Sequence, residues 1–482
     1  MQVRAFPADT VALSNMNFQW LQSLNAGGRA NMPRGKTIVG RGVNLEDINK
    51  MIDITINDED RSGHTGVLGT TRVGKTRLVE AIVEQDIKKK FNVVIFDPKG
   101  DNGLFSKVVQ VAAEAGRLNE LMLLTPIFPD NSIMIDPLAY YYMLDELTDH
   151  VISGIKAKED YFIAIAQEVT QALVSGLSVQ ARARNESLKI SFHDIKVRSD
   201  YLALRRFSES LEHVVGASEV VQSIEQILTS PQDFFSKVSS SLRTTLSALT
   251  TGSTGQIIGK CLQNEFVRRF EHGEGVILYC NTGAMLARRT AHIIGRVLLS
   301  MIQSMVGRFY ATGRKLNPPL CIHMDEGHNM LYPGVQSLFN MSGGAGVFLH
   351  FYTQSLAQIE EEVGLAPAKS VMDNINNWIY MLVNHPQTAQ HVEDMSPIVQ
   401  KYQPILSFGG GISVREVEEK QILANKVLSL PKREFYMRSY GNMFKGMTCD
   451  VKESEVEVLL HDIATTWRPP TLPSEAGAEW LD

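Results

Sequence analysis

Cysteine is scarce in this 482-residue chain: Cys261, Cys280, Cys321 and Cys449 lie far apart and form no CxxC pair. That spacing excludes a paired-cysteine zinc site and a disulfide framework, and it points to a reducing compartment. Long hydrophobic runs are missing too. No apolar stretch reaches the roughly 18 residues that cross a bilayer. The N-terminus, Met1-Gln2-Val3-Arg4-Ala5-Phe6-Pro7, lacks the pattern of a signal peptide. Positive charge is not in excess: 47 Lys and Arg stand against 53 Asp and Glu, a net charge of −6. Any contact with nucleic acid must therefore use local basic patches. Internal repeats and low-complexity segments are absent. What remains, 44% hydrophobic and 21% charged residues, is the composition of a globular protein long enough for two or three domains.

The run Gly69-Thr70-Thr71-Arg72-Val73-Gly74-Lys75-Thr76 fits the phosphate-binding pattern G-x-x-x-x-G-K-[ST] without a mismatch. Glycines let the backbone curl so that several N–H groups face one phosphate. Lys75 can reach the β- and γ-phosphates, and Thr76 can hold Mg²⁺. The context agrees. His64–Leu68 is a short run of buried-strand character. Leu78, Val79, Ile82, Val83 and Ile87 then recur at helical spacing, with Glu80, Glu84 and Lys88 facing away. Strand, glycine loop and helix aim a helix N-terminus at the anion. A second run, Arg34-Gly35-Lys36-Thr37, ends like the motif but has Ala30 where the first glycine belongs, and reads as an ordinary loop.

Residues 1–60 hold two short helical patterns and a Gly/Arg-rich stretch, a lead-in expected to pack on the nucleotide domain. From 61 onward an α/β alternation begins: a strand at Asn92–Phe96 closed by Asp97-Pro98-Lys99-Gly100-Asp101, a helix near 104–116 and a strand at Leu121–Thr125. From about Leu138 to Leu249 the pattern is helical, as in Phe162, Ile165, Val169 and Leu173 along one face. A short strand-like stretch near Ile190–Ile195 interrupts it. The alternation resumes with a strand at 275–280, a helix over about 287–310, a strand at Leu320–Met324, a helix near 334–342, a strand at Val347–Tyr352, a helix near 355–363 and a strand at Trp378–Val383. From about Lys432 a short hairpin precedes a Pro-rich, acidic terminus. The expected architecture is an α/β fold. A RecA-like P-loop ATPase domain with a parallel central sheet (61–137 and 250–465) carries an all-α insert (138–249), with a flexible tail at 466–482.

The strand Leu320–Met324 ends in Asp325 and Glu326. P-loop ATPases place their Mg²⁺-binding aspartate and water-activating glutamate at such a strand end. Asp325 is expected in the metal's shell, with Thr76 as direct ligand, and Glu326 beside the attacking water. Asp97 ends an apolar strand as well and competes for the metal role. The adjacent glutamate favours Asp325, leaving Asp97 and Lys99 either a supporting shell near the phosphates or a simple turn held by Asp97 and Pro98. Gln354, in Thr353-Gln354-Ser355 after the next strand, can sense the γ-phosphate, and Thr353 or Ser355 can cap the following helix. His323 is expected to be a packed core residue, and His328 lacks a third ligand for a metal site. Tyr140-Tyr141-Tyr142 can stack on bases. As adjacent helix residues they are expected to serve packing.

Together Gly69–Thr76, the Asp97–Asp101 box, Asp325-Glu326, and Tyr352-Thr353-Gln354-Ser355 with Gln358 resemble the TraD/TraG-type coupling proteins of bacterial conjugation, RecA-like ATPases related to FtsK- and HerA-type motors. The helical insert after Pro137 sits where that family carries an all-α domain. Ser342-Gly343-Gly344-Ala345-Gly346 is most similar to members from integrative conjugative elements. The resemblance spans about residues 40–440. It implies a homo-hexameric ring ATPase using ATP and Mg²⁺ on the cytoplasmic side of the bacterial inner membrane. Such a ring recruits a relaxase and its DNA and pumps single-stranded DNA into a type IV secretion channel, and its contacts with single- or double-stranded DNA ignore sequence. Glu326, Gln354 and Lys75 would be its catalytic residues.

Two departures stand out. Family members usually carry N-terminal transmembrane helices, so either an anchor has been removed from this soluble chain or a partner subunit supplies it. Relatives also carry an arginine before the Gln354 strand that completes the neighbour's site, where this chain has Gly343-Gly344-Ala345-Gly346. Arg288 and Arg289 are candidates for that role or plain surface charges. Two other readings use the same residues: a chromosomal DNA translocase of the HerA or FtsK type, and a nucleotide-gated docking platform for secreted proteins.

Overall fold

The computed structural model describes residues 2–5, 9–12, 35–156, 159–259, 264–406 and 412–460. The expected tail at 466–482, Cys261 and the Ala30 position lie outside them.

The strands, in chain order, are β1 (Gln2–Ala5), β2 (Asp9–Ala12), β3 (Lys36–Asn44), β4 (Asp47–Asn57), β5 (Thr65–Leu68), β6 (Asn92–Asp97), β7 (Leu121–Leu124), β8 (Ile277–Asn281), β9 (Leu320–Met324), β10 (Val347–Thr353), β11 (Asn377–Tyr380), β12 (Ile398–Leu406), β13 (Ile412–Lys420), β14 (Glu434–Ser439), β15 (Asn442–Thr448) and β16 (Val456–Leu459). An 11-stranded sheet runs β4-β3-β15-β14-β11-β5-β10-β9-β6-β8-β7. From β11 to β7 every neighbouring pair is parallel. From β11 outward through β14, β15, β3 and β4 every pair is antiparallel.

The parallel strands are buried along their whole length, so they read as continuous apolar runs. Alternate residues feed two cores. Val93 and Ile95 join Val79, Ile82 and Val108 beneath the helices Lys75–Lys88 and Asn102–Glu114. Val94 and Phe96 join Ile322, Met324 and Leu298 on the other face, where the long helix Ala284–Ala311 packs.

Between β7 and β8 the described residues contain no strand. Helices Leu144–Ser153, Asp160–Ala183, Tyr201–Leu211, Ser218–Leu228, Gln232–Val238 and Ser240–Thr250 form the insert. A parallel bridge, Ile135 to Ile258, brings its two ends together. By length and composition Asp160–Ala183 contains a stretch apolar enough to cross a membrane, which the sequence reading did not expect. Here Ala166, Val169 and Leu173 on its buried face build the insert's core.

Several expectations need correction. The strand-like stretch near Ile190–Ile195 is the short helix Phe192–Lys196. Ser191 Oγ accepts from the Asp194 N–H at 3.3 Å while Asp194 accepts from the Ser191 N–H at 3.0 Å, a capping box that outweighs local β-propensity. Of residues 1–60, those described form β1, β2, β3 and β4, of which β3 and β4 extend the central sheet itself, and residues 13–34, within which helical patterns were expected, lie outside the described residues. The strand expected to reach Val383 stops at Tyr380, because Leu382 turns its carbonyl to the Thr70 N–H at 2.8 Å. The tyrosines at 140–142 precede the helix Leu144–Ser153. Tyr140 lies under the Arg308 guanidinium at 4.2 Å, and Tyr142 is exposed. The hairpin from Lys432 is present as β14 and β15. The ribbon β12–β13 was not anticipated.

Candidate functional site

β5, β10 and β9 are adjacent and parallel, so their carboxyl ends open at one edge of the sheet. The phosphate loop leaves β5 at Gly69, whose N–H bonds the Thr353 carbonyl at the end of β10 at 3.2 Å. Thr70 Oγ1 accepts from Asn384 Nδ2 at 3.1 Å. Thr71 and Arg72 are exposed, Arg72 with φ 62°, and Val73 is buried. Gly74 starts the helix at φ 110°, ψ 11°, a conformation that side-chain-bearing residues rarely take. Lys75 and Thr76 open the helix Lys75–Lys88.

Lys75 is buried and its Nζ lies 3.4 Å from the Thr353 carbonyl. Burial pushes its ammonium down from the ordinary lysine range, against the charges of Glu326 and Asp325. At the end of β9, Glu326 sits in the left-handed region at φ 46° and is buried. Its Oε1 accepts from Gln354 Nε2 at 2.9 Å and from Lys99 Nζ at 2.6 Å. Burial raises the Glu326 carboxyl, but the Lys99 hydrogen bond and the Lys75 charge outweigh it and hold the group below the usual range. Lys99 also approaches Asp325 Oδ2 at 3.3 Å. Burial alone would lower Lys99, yet Asp325 and Glu326 raise it.

Asp97 is placed differently. Its carboxylate accepts from the backbone N–H groups of Lys99, Gly100 and Asp101 at 3.0, 3.0 and 2.6 Å, and from the Tyr279 hydroxyl at 2.6 Å. Of the two arrangements open for Asp97, this is the geometry of the turn. The turn then projects Lys99 toward the carboxylates of β9.

The expected capping by Thr353 or Ser355 takes another form. Ser355 occupies the N-cap of the helix Leu356–Val363 without a side-chain bond. Gln358 Oε1 instead accepts from Thr353 Oγ1 and the Gln354 N–H, both at 3.2 Å. His328 Nδ1 lies 3.2 Å from Thr353 Oγ1. His323 points away from the site into a buried cluster with Asp86, Arg61 and Tyr352. Arg288 and Arg289 are exposed just beyond a kink at Ala287.

Two contributors had no signal in the sequence. The Arg433 N–H bonds the Val73 carbonyl at 2.9 Å, and its guanidinium is held by Asp450 at 2.5 Å. Asn384 reaches Thr70 from beyond β11. Both come from parts of the chain more than 300 residues from the loop in sequence.

Thr76 in the first turn of the helix Lys75–Lys88 and Asp325 at the end of β9 carry oxygen donors, the ligand type Mg²⁺ takes. Among the described residues no group of three or more His, Cys, Asp or Glu side chains can hold a metal. A cation here would complete its shell from phosphate and water.

Two family descriptions match the sequence. "TraM recognition site of TraD and TraG" covers residues 319–396, which hold Asp325, Glu326 and Gln354. Over that stretch the chain is similar to proteins of the TraD/TraG type. "Helicase HerA, central domain" covers residues 39–121, which hold the phosphate loop and Lys99. No curated protein sequence matches. Among solved structures, the bacterial conjugative coupling protein TrwBdeltaN70 in unbound form is similar with TM-score 0.66 and 14% identity, over 94% of each chain. TrwB in complex with ADP and Mg²⁺ is similar with TM-score 0.62 and 16% identity, over 89% of this chain and 98% of that one. VirB4 of Thermoanaerobacter pseudethanolicus gives TM-score 0.51 and 10% identity, over 88% and 99%. At such identities the likeness shows the fold. The chain has the RecA-like fold of TrwB: a mostly parallel central sheet with helices, a P-loop NTPase framework.

Proposed function

We propose that this chain is an ATP-hydrolysing coupling protein that recruits a relaxase–DNA substrate and drives single-stranded DNA into a type IV secretion channel. The observation that carries this reading is the convergence of Lys75, Lys99, Glu326 and Gln354 on one sheet edge beside a complete phosphate loop. Loop amides and Lys75 bind the β- and γ-phosphates. Thr76 and Asp325 would hold Mg²⁺, which would supply positive charge against the transferred phosphoryl group. Glu326, kept ionised by Lys99 and Lys75, orients the attacking water. Gln354, bonded to Glu326, reports the γ-phosphate to the helix Leu356–Val363.

The likeness to conjugative coupling proteins supports the conjugative task, with relaxase and secretion components as partners. It also supports a homo-hexamer at the inner face of the membrane. An exposed arginine, Arg288 or Arg289, would complete the neighbour's site. DNA contacts would be sequence-blind and weakened by salt. A second reading, a chromosomal translocase of the HerA type, draws on the match at residues 39–121 and expects nuclease or recombination partners.

The test is the ATPase rate with and without single-stranded DNA for wild type, Lys75→Ala and Glu326→Gln. Both substitutions should abolish turnover, and only Lys75→Ala should weaken nucleotide binding substantially. Normal hydrolysis by Glu326→Gln would overturn the assignment of the water-activating residue.

A further inference from the structure

Outside the nucleotide site, one carboxylate gathers cations from two other parts of the chain. Glu362 lies in the last turn of the helix Leu356–Val363, where a negative charge opposes the helix dipole and needs cations nearby. It has two. Arg296 Nη2 and Lys156 Nζ both lie 2.7 Å from Glu362 Oε2. Burial raises the Glu362 carboxyl, but Lys156 and Arg296 hold it below the ordinary range.

Each partner leads somewhere different. Arg296 belongs to the helix Ala284–Ala311, and its Nε donates to the Asn329 carbonyl at 3.1 Å. The Asn329 N–H in turn bonds the Glu326 carbonyl at 3.0 Å. Lys156 lies in the stem between the insert helices Leu144–Ser153 and Asp160–Ala183. Glu362 itself rides on the helix that begins directly after Gln354. The two residues that would face the γ-phosphate therefore both lead to this carboxylate, one through Asn329 and Arg296, the other through a single helix.

The two cations are not equivalent. The Arg296 side chain is 4% exposed, so parting it from Glu362 would strand a buried charge. The Lys156 side chain is 52% exposed and can return its ammonium to water at little cost. The Arg296 contact is thus fixed, and the Lys156 contact is the one that can open when the helix Leu356–Val363 shifts.

We propose that Glu362 is a positioning residue which, held by Arg296, couples the Glu326–Gln354 pair to the stem of the helical insert through Lys156. Nucleotide at the sheet edge then changes how firmly the insert's first two helices are held. This rests on the nucleotide reading above.

Amide hydrogen exchange of the full chain with and without Mg²⁺ and a non-hydrolysable ATP analogue tests it. In wild type, peptides from Lys75–Lys88 and from both Leu144–Ser153 and Asp160–Ala183 should change their exchange. In Lys156→Met, which uncovers no buried charge, the first should still respond and the insert peptides should not. Lys156→Arg should restore the insert response. In Glu362→Gln, kcat for ATP should fall about fivefold to tenfold with KM little changed, the scale of a modest coupling. An insert that responds equally in wild type and Lys156→Met, or that stays silent in wild type while Lys75–Lys88 responds, overturns the coupling. Silence in Lys75–Lys88 itself overturns the nucleotide reading and the coupling with it.

Discussion

Gln354 Nε2 donates to Glu326 Oε1 across 2.9 Å, joining the ends of two adjacent parallel strands. A neutral amide and an anion share this bond, the kind worth about 1.5–3 kcal/mol. Replacing Gln354 with Ala should lower kcat by roughly tenfold to a hundredfold on that scale, with KM for ATP nearly unchanged. Steady-state ATPase kinetics check this. A rise in KM at constant kcat would make Gln354 a ground-state binding residue instead.

Gly74 is the conformational weak point of the phosphate loop. At φ 110° a Cβ is strained, and it would also stand 3.3 Å from Arg433 Cγ. The Gly74→Ala change should cost about 1–2 kcal/mol of local strain. Since about 1.4 kcal/mol is tenfold in affinity, calorimetry should find nucleotide binding weakened by about an order of magnitude.

Arg433 braces the same loop from the opposite side of the chain. Its guanidinium is tied to Asp450 and to the Thr448 carbonyl, which fixes the backbone that bonds Val73. Arg433→Ala should raise KM for ATP several-fold through loop disorder, with kcat reduced less, whereas an Arg433 that only decorates the surface would change neither.

The pair Arg61–Asp86 is bidentate, at 2.6 and 2.8 Å, and both side chains are buried. Removing one partner leaves an uncompensated charge, so Asp86→Ala should destabilise by about 3–5 kcal/mol in urea unfolding. The double change Arg61→Met with Asp86→Leu should recover much of that loss.

Acid should unfold the protein through histidine. Burial holds His64 and His150 down to about 4. His64 is bonded as a neutral ring: Nδ1 accepts from the Leu349 N–H at 3.3 Å and Nε2 lies 2.9 Å from the Phe339 carbonyl. Between the two pKa values the unfolded chain binds more protons than the folded one. The stability these groups contribute is therefore fully present above about 6.5 and is lost as pH falls toward 4. At pH 5 each costs about 2 kcal/mol relative to pH 7 on that basis. His64→Gln should flatten the pH dependence of the urea midpoint by about one histidine's share.

The parallel half of the sheet was readable because its strands are buried on both faces and so stand out as apolar runs bounded by turns. Asn92–Phe96, Leu320–Met324 and Val347–Tyr352 fall within a residue of β6, β9 and β10. The phosphate loop was equally plain, since its backbone demands glycine at set positions. The antiparallel extension was harder to see. β3 and β4 hold glycine, charge and a bulge between Ile38 and Gly40, and the pairing of β3 with β15 depends on residues some 400 positions away. Asp97 illustrates the limit at the site. An aspartate after an apolar strand looks alike whether it faces a metal or folds back on three amides, and the distances alone decide.

The Ile135–Ile258 bridge has a consequence for the molecule's modularity. The Ile135 N–H meets the Ile257 carbonyl at 2.8 Å and the Gly259 N–H meets the Ile135 carbonyl at 3.0 Å. The helical region thus enters and leaves through a single doorway, and a short peptide across that gap would excise it without parting any neighbours in the eleven-stranded layer. Such a miniature would retain the sheet edge that carries the phosphate loop but have nothing left to steer.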